Sequence, residues 1–91
     1  MRPERYQEIA MNKLNTPMDS KDLLIHSIMG LSIESGKAID FLKENMIYNK
    51  ELNEEDLVIA LGNIVSYIAT AATALDIPLG EILRRNIRTH I

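Results

Sequence analysis

Glu34 and Lys37 stand three residues apart in the quartet Glu34-Ser35-Gly36-Lys37, and a second quartet, Ala60-Leu61-Gly62-Asn63, repeats the glycine at its third place. Side chains three apart share one face of a helix. Carboxylates at that spacing on two facing helices would aim four hard oxygen ligands at one Mg²⁺, which binds a few carboxylates and bridges them to substrate phosphates. Here the four places hold one acid, one base, an alanine and an amide, too little negative charge for a dication. Glu34 and Lys37 are placed instead to pair with each other, a contact worth only about 0.2–0.5 kcal/mol when exposed. Alternatively, the Lys37 ammonium takes the metal's place and attracts phosphate oxygens directly. At about 4 Å and an effective dielectric near 20 that attraction is about 4 kcal/mol before desolvation. A lysine cannot, however, supply a metal-activated water.

Other polar residues carry weaker chemistry. Asn63, Tyr67 and Thr70, at steps of four and three, form a polar stripe turned the same way as Ala60. They either line a pocket or bond one another and a preceding carbonyl. Asp40, Glu44 and Asp56 read as acids of a solvated face, although any of them could act as a displaced carboxylate. Arg84, Arg85 and Arg88 read as a solvated face or as complements to a helix C-terminal dipole, with a phosphate site as the competing reading. His26 and His90 lie 64 residues apart with no ligand spacing around either. No phosphate-binding glycine loop or nucleophile elbow is present.

Four helices must position these residues. Pro3 to about Leu14 starts with a proline suited to a first turn and places Tyr6, Ile9, Ala10 and Leu14 on one stripe. Asn15-Thr16-Pro17 breaks the pattern, and Asp19 or Ser20 caps a second helix running to about Asn45, with Leu24, Ile28, Leu31, Ser35, Ala38, Leu42 and Met46 at steps of three or four. Asn53 caps a third helix whose first turn holds Glu54, Glu55 and Asp56, and which continues to about Leu75. Asp76-Ile77-Pro78 interrupts before a fourth, from Leu79 to His90, carrying Ile82, Leu83 and Ile87. Gly30, Gly36 and Gly62 lie inside helical patterns, where each costs about 1 kcal/mol relative to alanine, so they are expected at close helix approaches or, alternatively, at kinks or helix ends.

Bulk composition agrees with an all-α domain. Ninety-one residues, 46% hydrophobic with one Phe and no Trp, suit helices more than sheets. A chain of this size buries only roughly 60–65% of its unfolded surface, so association would stabilise it. The absence of cysteine excludes disulfides and thiolate chemistry, and Met1-Arg2-Pro3-Glu4-Arg5-Tyr6 lacks the apolar run of a secretory signal, which together point to the cytoplasm. A net charge of −3 gives no footprint for nucleic acid. Residues 57–75 carry no charge, but Asn63, Ser66, Tyr67, Thr70 and Thr73 mark a buried bundle helix rather than a membrane span.

The two quartets resemble the E-x-x-E and E-x-x-D motifs of the MazG-like all-α nucleoside triphosphate pyrophosphohydrolases, often written with glycine third in each. The resemblance runs from Tyr6-Gln7 through Ser20-Lys21-Asp22-Leu23-Leu24 and Gly30-Leu31 to Asp76-Ile77-Pro78-Leu79 and Asn86. It implies one four-helix domain over residues 1–91, with antiparallel neighbours, associating as a homodimer or homotetramer. It also makes Glu34 the one retained metal-binding acid, with Lys37, Ala60 and Asn63 where the family has the other three. Asn86 matches an asparagine that helps hold the nucleotide, and Thr89 stands where a lysine follows it. The residues expected to contact a nucleotide are Lys37, Asn63, Tyr67 and Asn86. The expected function is therefore a scaffold or nucleotide-binding role with pyrophosphohydrolysis impaired and no cofactor. Two alternatives stand beside it: an active Mg²⁺ enzyme cleaving nucleoside triphosphates through displaced carboxylates, and a protein-interaction module that binds no nucleotide.

Overall fold

The chain forms four α-helices, α1 (Pro3–Asn12), α2 (Ser20–Tyr48), α3 (Glu54–Ala74) and α4 (Leu79–His90), packed as an all-α four-helix bundle. The computed structural model describes residues 1–90, with His90 described by its backbone only. Helix starts follow local chemistry. The Asp19 carboxylate accepts from the Asp22 amide at 2.8 Å, and the Asn53 side-chain oxygen accepts from the Asp56 amide at 3.1 Å, each satisfying one orphan donor of a first turn. Three acids then sit against the positive end of α3.

Helix ends are set by left-handed residues. Asn49 (φ 54°) stops α2 and Asp76 (φ 56°) follows the end of α3, both residue types that tolerate this region. The Lys50 amide returns to the Glu44 carbonyl at 3.2 Å and the Ile77 amide to the Ala72 carbonyl at 2.9 Å, closing each turn. Asn45 donates to the Lys50 carbonyl at 2.8 Å, which lets α2 run three residues beyond the expected Asn45.

The longest contact joins α2 to α3, and it is not built on the stripe that periodicity favours. The buried residues of α2 are Leu23, Ser27, Gly30 and Glu34, continued by half-buried Ala38, Phe41 and Asn45. Of the expected stripe, Leu24, Leu31 and Ala38 are half-buried, whereas Ile28, Ser35, Leu42 and Met46 are exposed. The seam is rotated because α2 is apolar on most sides, so hydrophobicity alone cannot choose a face, and small and polar residues are what let α3 approach. Facing them on α3 are Tyr67 and Thr70.

A separate small core joins the other helices. Ala10 of α1, Ala69 of α3 and Leu79 of α4 are buried together, with Tyr6 and Ile68 packed against them. α1 also holds the start of α4. Gln7 accepts from the Leu79 amide at 2.8 Å while donating to the Ile77 carbonyl and the Thr73 hydroxyl, both at 3.0 Å. Glu4 accepts from the Gly80 amide at 2.9 Å, placing a carboxylate at a helix N-terminus. On α4, hydrogen bonds from Arg85 and Arg84 hold the half-buried Glu81 carboxyl below the usual carboxylate range.

Candidate functional site

Of the two quartets, only Glu34 of α2 and Ala60 of α3 are buried, and the other six residues are exposed. Glu34 is buried, its side chain only 10% exposed, and its carboxylate receives the Lys37 ammonium at 3.2 Å, one turn on and 57% exposed. Ala60 is buried in α3. One turn of α2 back from Glu34, Gly30 leaves room for the Tyr67 ring, onto which a Cβ at residue 30 would intrude. Further along, the Ser27 and Thr70 hydroxyls meet at 2.6 Å in full burial. Thr70 spends its single proton on the Tyr67 carbonyl at 3.1 Å, so Ser27 is the donor of the shorter bond. Thus Thr70 bonds both a neighbouring side chain and a preceding carbonyl.

Asn63, Tyr67 and Thr70 also share a cavity. It holds about 220 Å³ between α1, α2 and α3, and Lys13, His26 and Ser66 complete its polar lining above Ala10 and Leu14. His26 and Tyr67 meet edge to face, ring centroids 5.9 Å apart and planes at 68°. Among the described residues, no hydrogen bond occupies the side chains of Lys13, His26, Asn63 or Ser66. The cavity therefore presents a cation, an amide with both donor and acceptor, a hydroxyl and an imidazole. Its volume falls below the roughly 300–1,000 Å³ of drug-sized clefts, enough for a base or a phosphate but not a whole nucleoside triphosphate.

Four residues were expected at a nucleotide, and only Asn63 and Tyr67 line this cavity. Lys37 is engaged with Glu34, and Asn86 lies exposed on α4, with its carbonyl accepting from Thr89. Lys13 follows the last turn of α1 and His26 lies in α2, with no sequence spacing to link the two to this cavity. The Gln7 clamp escaped sequence reading, the only hint being that Glu4 and Gln7 lie one turn apart.

The expectation of a close approach holds at one of the three glycines. Gly36 and Gly62 have no protein atom within 4 Å of where a Cβ would stand, so within this chain neither marks a close approach. The displaced acids Asp40, Glu44 and Asp56 are exposed. Among the described residues, no three His, Asp or Glu side chains gather closely enough to hold a metal ion. Mg²⁺ does not fit the donor set in the seam, where the one buried carboxylate already faces an ammonium. α3 is long and apolar enough to cross a membrane, yet it carries the buried Thr70 bond and the contact between Gln7 and Thr73. No family model, curated protein sequence or solved structure matches this chain.

Proposed function

We propose that the chain is a MazG-like scaffold, with antiparallel neighbouring helices, that binds nucleotides without Mg²⁺-dependent hydrolysis and works in the cytoplasm as a homodimer or homotetramer. One observation carries the catalytic half of this reading: the Lys37 ammonium sits 3.2 Å from the Glu34 carboxylate, where the resemblance calls for a second acid. A dication entering there would meet a resident cation and one carboxylate, and neither a pair of metal ions nor a metal-polarised water could be assembled. The antiparallel arrangement is supported by the order of contacts, Ser27 with Thr70 and Gly30 beside Tyr67.

The binding half rests on the cavity lined by Lys13, His26, Asn63, Ser66 and Tyr67. The amide of Asn63 matches the donor–acceptor edge of a base, and Lys13 supplies a charge for phosphate. Thermal shift without metal, using nucleoside mono- and triphosphates, is expected to stabilise the wild type, and Asn63→Leu is expected to abolish the shift. Calorimetry with Mg²⁺ or Mn²⁺ is expected to show no tight site. Restoring Lys37→Glu, Ala60→Glu and Asn63→Asp together is expected to create metal-dependent release of pyrophosphate. Release of pyrophosphate by the wild type, abolished by Glu34→Gln, would overturn the catalytic half; a flat thermal shift would overturn the binding half.

A further inference from the structure

One face of α3 is finished along only half its length. Val58, Leu61, Val65, Ala69 and Ala72 follow one another at steps of three or four and so share a side of the helix. Ala69 and Ala72 are fully buried, Ala69 in the core it shares with Ala10 of α1. Val58, Leu61 and Val65 are 46–61% exposed. α1 has ten residues and spans about 15 Å, whereas the 21 residues of α3 span about 31 Å, so α1 cannot cover both halves.

The mirror deficit lies on α4, beyond the other end of α3. Its apolar stripe begins at buried Leu79, passes half-buried Ile82 and ends at Leu83 and Ile87, which are 47% and 55% exposed. Charge around the two surfaces is opposite. On α4, Arg84, Arg85 and Arg88 all converge on the single carboxylate of Glu81, at 2.9–3.2 Å, leaving positive charge in excess. Residues 40–56, which flank the bare half of α3, hold six acids against two lysines.

We propose that each chain lays α4 along the bare amino-terminal half of α3 in a second copy of itself, Leu83 and Ile87 against Val58, Leu61 and Val65, with the arginines over the partner's acidic end. A two-fold exchange satisfies both surfaces on both copies at once. The area needed is available. The chain exposes 6815 Å² where a folded monomer of 10.3 kDa exposes about 5,350 Å². That surplus of about 1,450 Å² exceeds the roughly 800 Å² that each partner buries in a standard interface. The radius of gyration is 15.1 Å against about 12 Å for a compact domain of this length. A membrane of anionic lipid would attract the arginines but repel Glu54, Glu55 and Asp56 beside the bare face, so it fits only one of the two surfaces.

This inference rests on the proposed self-association and not on nucleotide binding, so the two can fail separately. Light scattering at micromolar concentration is expected to give twice the mass of one 10.3 kDa chain. Leu83→Glu with Ile87→Glu, or Leu61→Glu with Val65→Glu, should give single chains with unchanged helical circular dichroism. Exposed charges provide a test that removes no buried contact. Arg84→Glu with Arg88→Glu in one variant, and Glu54→Lys with Glu55→Lys in another, should each raise the dissociation constant at least about tenfold, and mixing them should restore the dimer. A wild-type monomer would overturn self-association itself. A dimer indifferent to these substitutions, a mixture that stays monomeric, or wild-type chains that sediment with anionic vesicles while remaining monomeric would each overturn this interface.

Discussion

Gly30 and Gly36 occupy the same helix six residues apart, and the space around them differs entirely. A methyl group at residue 30 would meet the Tyr67 ring, whereas at residue 36 it would meet nothing within 4 Å. Alanine gains about 1 kcal/mol over glycine in a helix, so the two substitutions should move stability in opposite directions. Gly36→Ala is expected to stabilise the isolated chain by about 0.5–1 kcal/mol in denaturant unfolding. Gly30→Ala is expected to destabilise it by about 1 kcal/mol net, since displacing a packed ring costs about 1–3 kcal/mol and exceeds the propensity gain. Equal effects at the two positions would contradict the packing described for the seam. The sequence showed that both glycines were costly, but not which one had a neighbour, because that depends on how α2 is rotated against α3.

At the scale of elements, α4 depends on α1 for its first turn. The amides of Leu79 and Gly80 are taken by Gln7 and Glu4, and Gln7 also closes the Ile77 carbonyl that ends the preceding turn. Gln7→Leu keeps the bulk but strands a partly buried donor and acceptor, with an expected loss of about 2 kcal/mol. Hydrogen exchange should locate that loss at residues 77–82 rather than along α2. Protection unchanged there would show that α4 is capped in some other way. Helix existence was legible throughout, from Pro3, Asp19, Asn53 and Pro78 as local start and stop signals. The clamp was not, because residues separated by 66 to 76 positions carry no local mark of their contact.

At the scale of the whole molecule, the buried residues are mostly small and apolar, yet the longest helix buries Leu23, Ser27, Gly30 and Glu34 while exposing Ile25, Ile28, Met29, Ile33, Ile39, Leu42, Met46 and Ile47. A chain arranged this way draws much of its stability from association, so its midpoint of thermal unfolding should rise with protein concentration. A midpoint independent of concentration over a hundredfold range would mean that the exposed apolar faces contribute nothing to the native state. The polar seam and the apolar exterior also have one origin: the cleft is kept for small and polar groups, so the hydrophobic residues of α2 have no place but the outside.

Composition, capping residues and the two quartets by themselves determined an all-α chain of four helices, their approximate limits, and a single acid among the four quartet ends. These follow from local propensity and from counting charge, which do not depend on distant contacts. Only the tertiary structure decided which stripe of α2 is inside, that Lys37 lies on Glu34, and that Asn63 and Tyr67 share a cavity with Lys13 and His26 while Asn86 lies elsewhere. A helix apolar on most of its circumference has several nearly equivalent faces, and the choice among them is made by the shape of the neighbour, here the ring of Tyr67 and the hydroxyl of Thr70 fitting against Gly30 and Ser27.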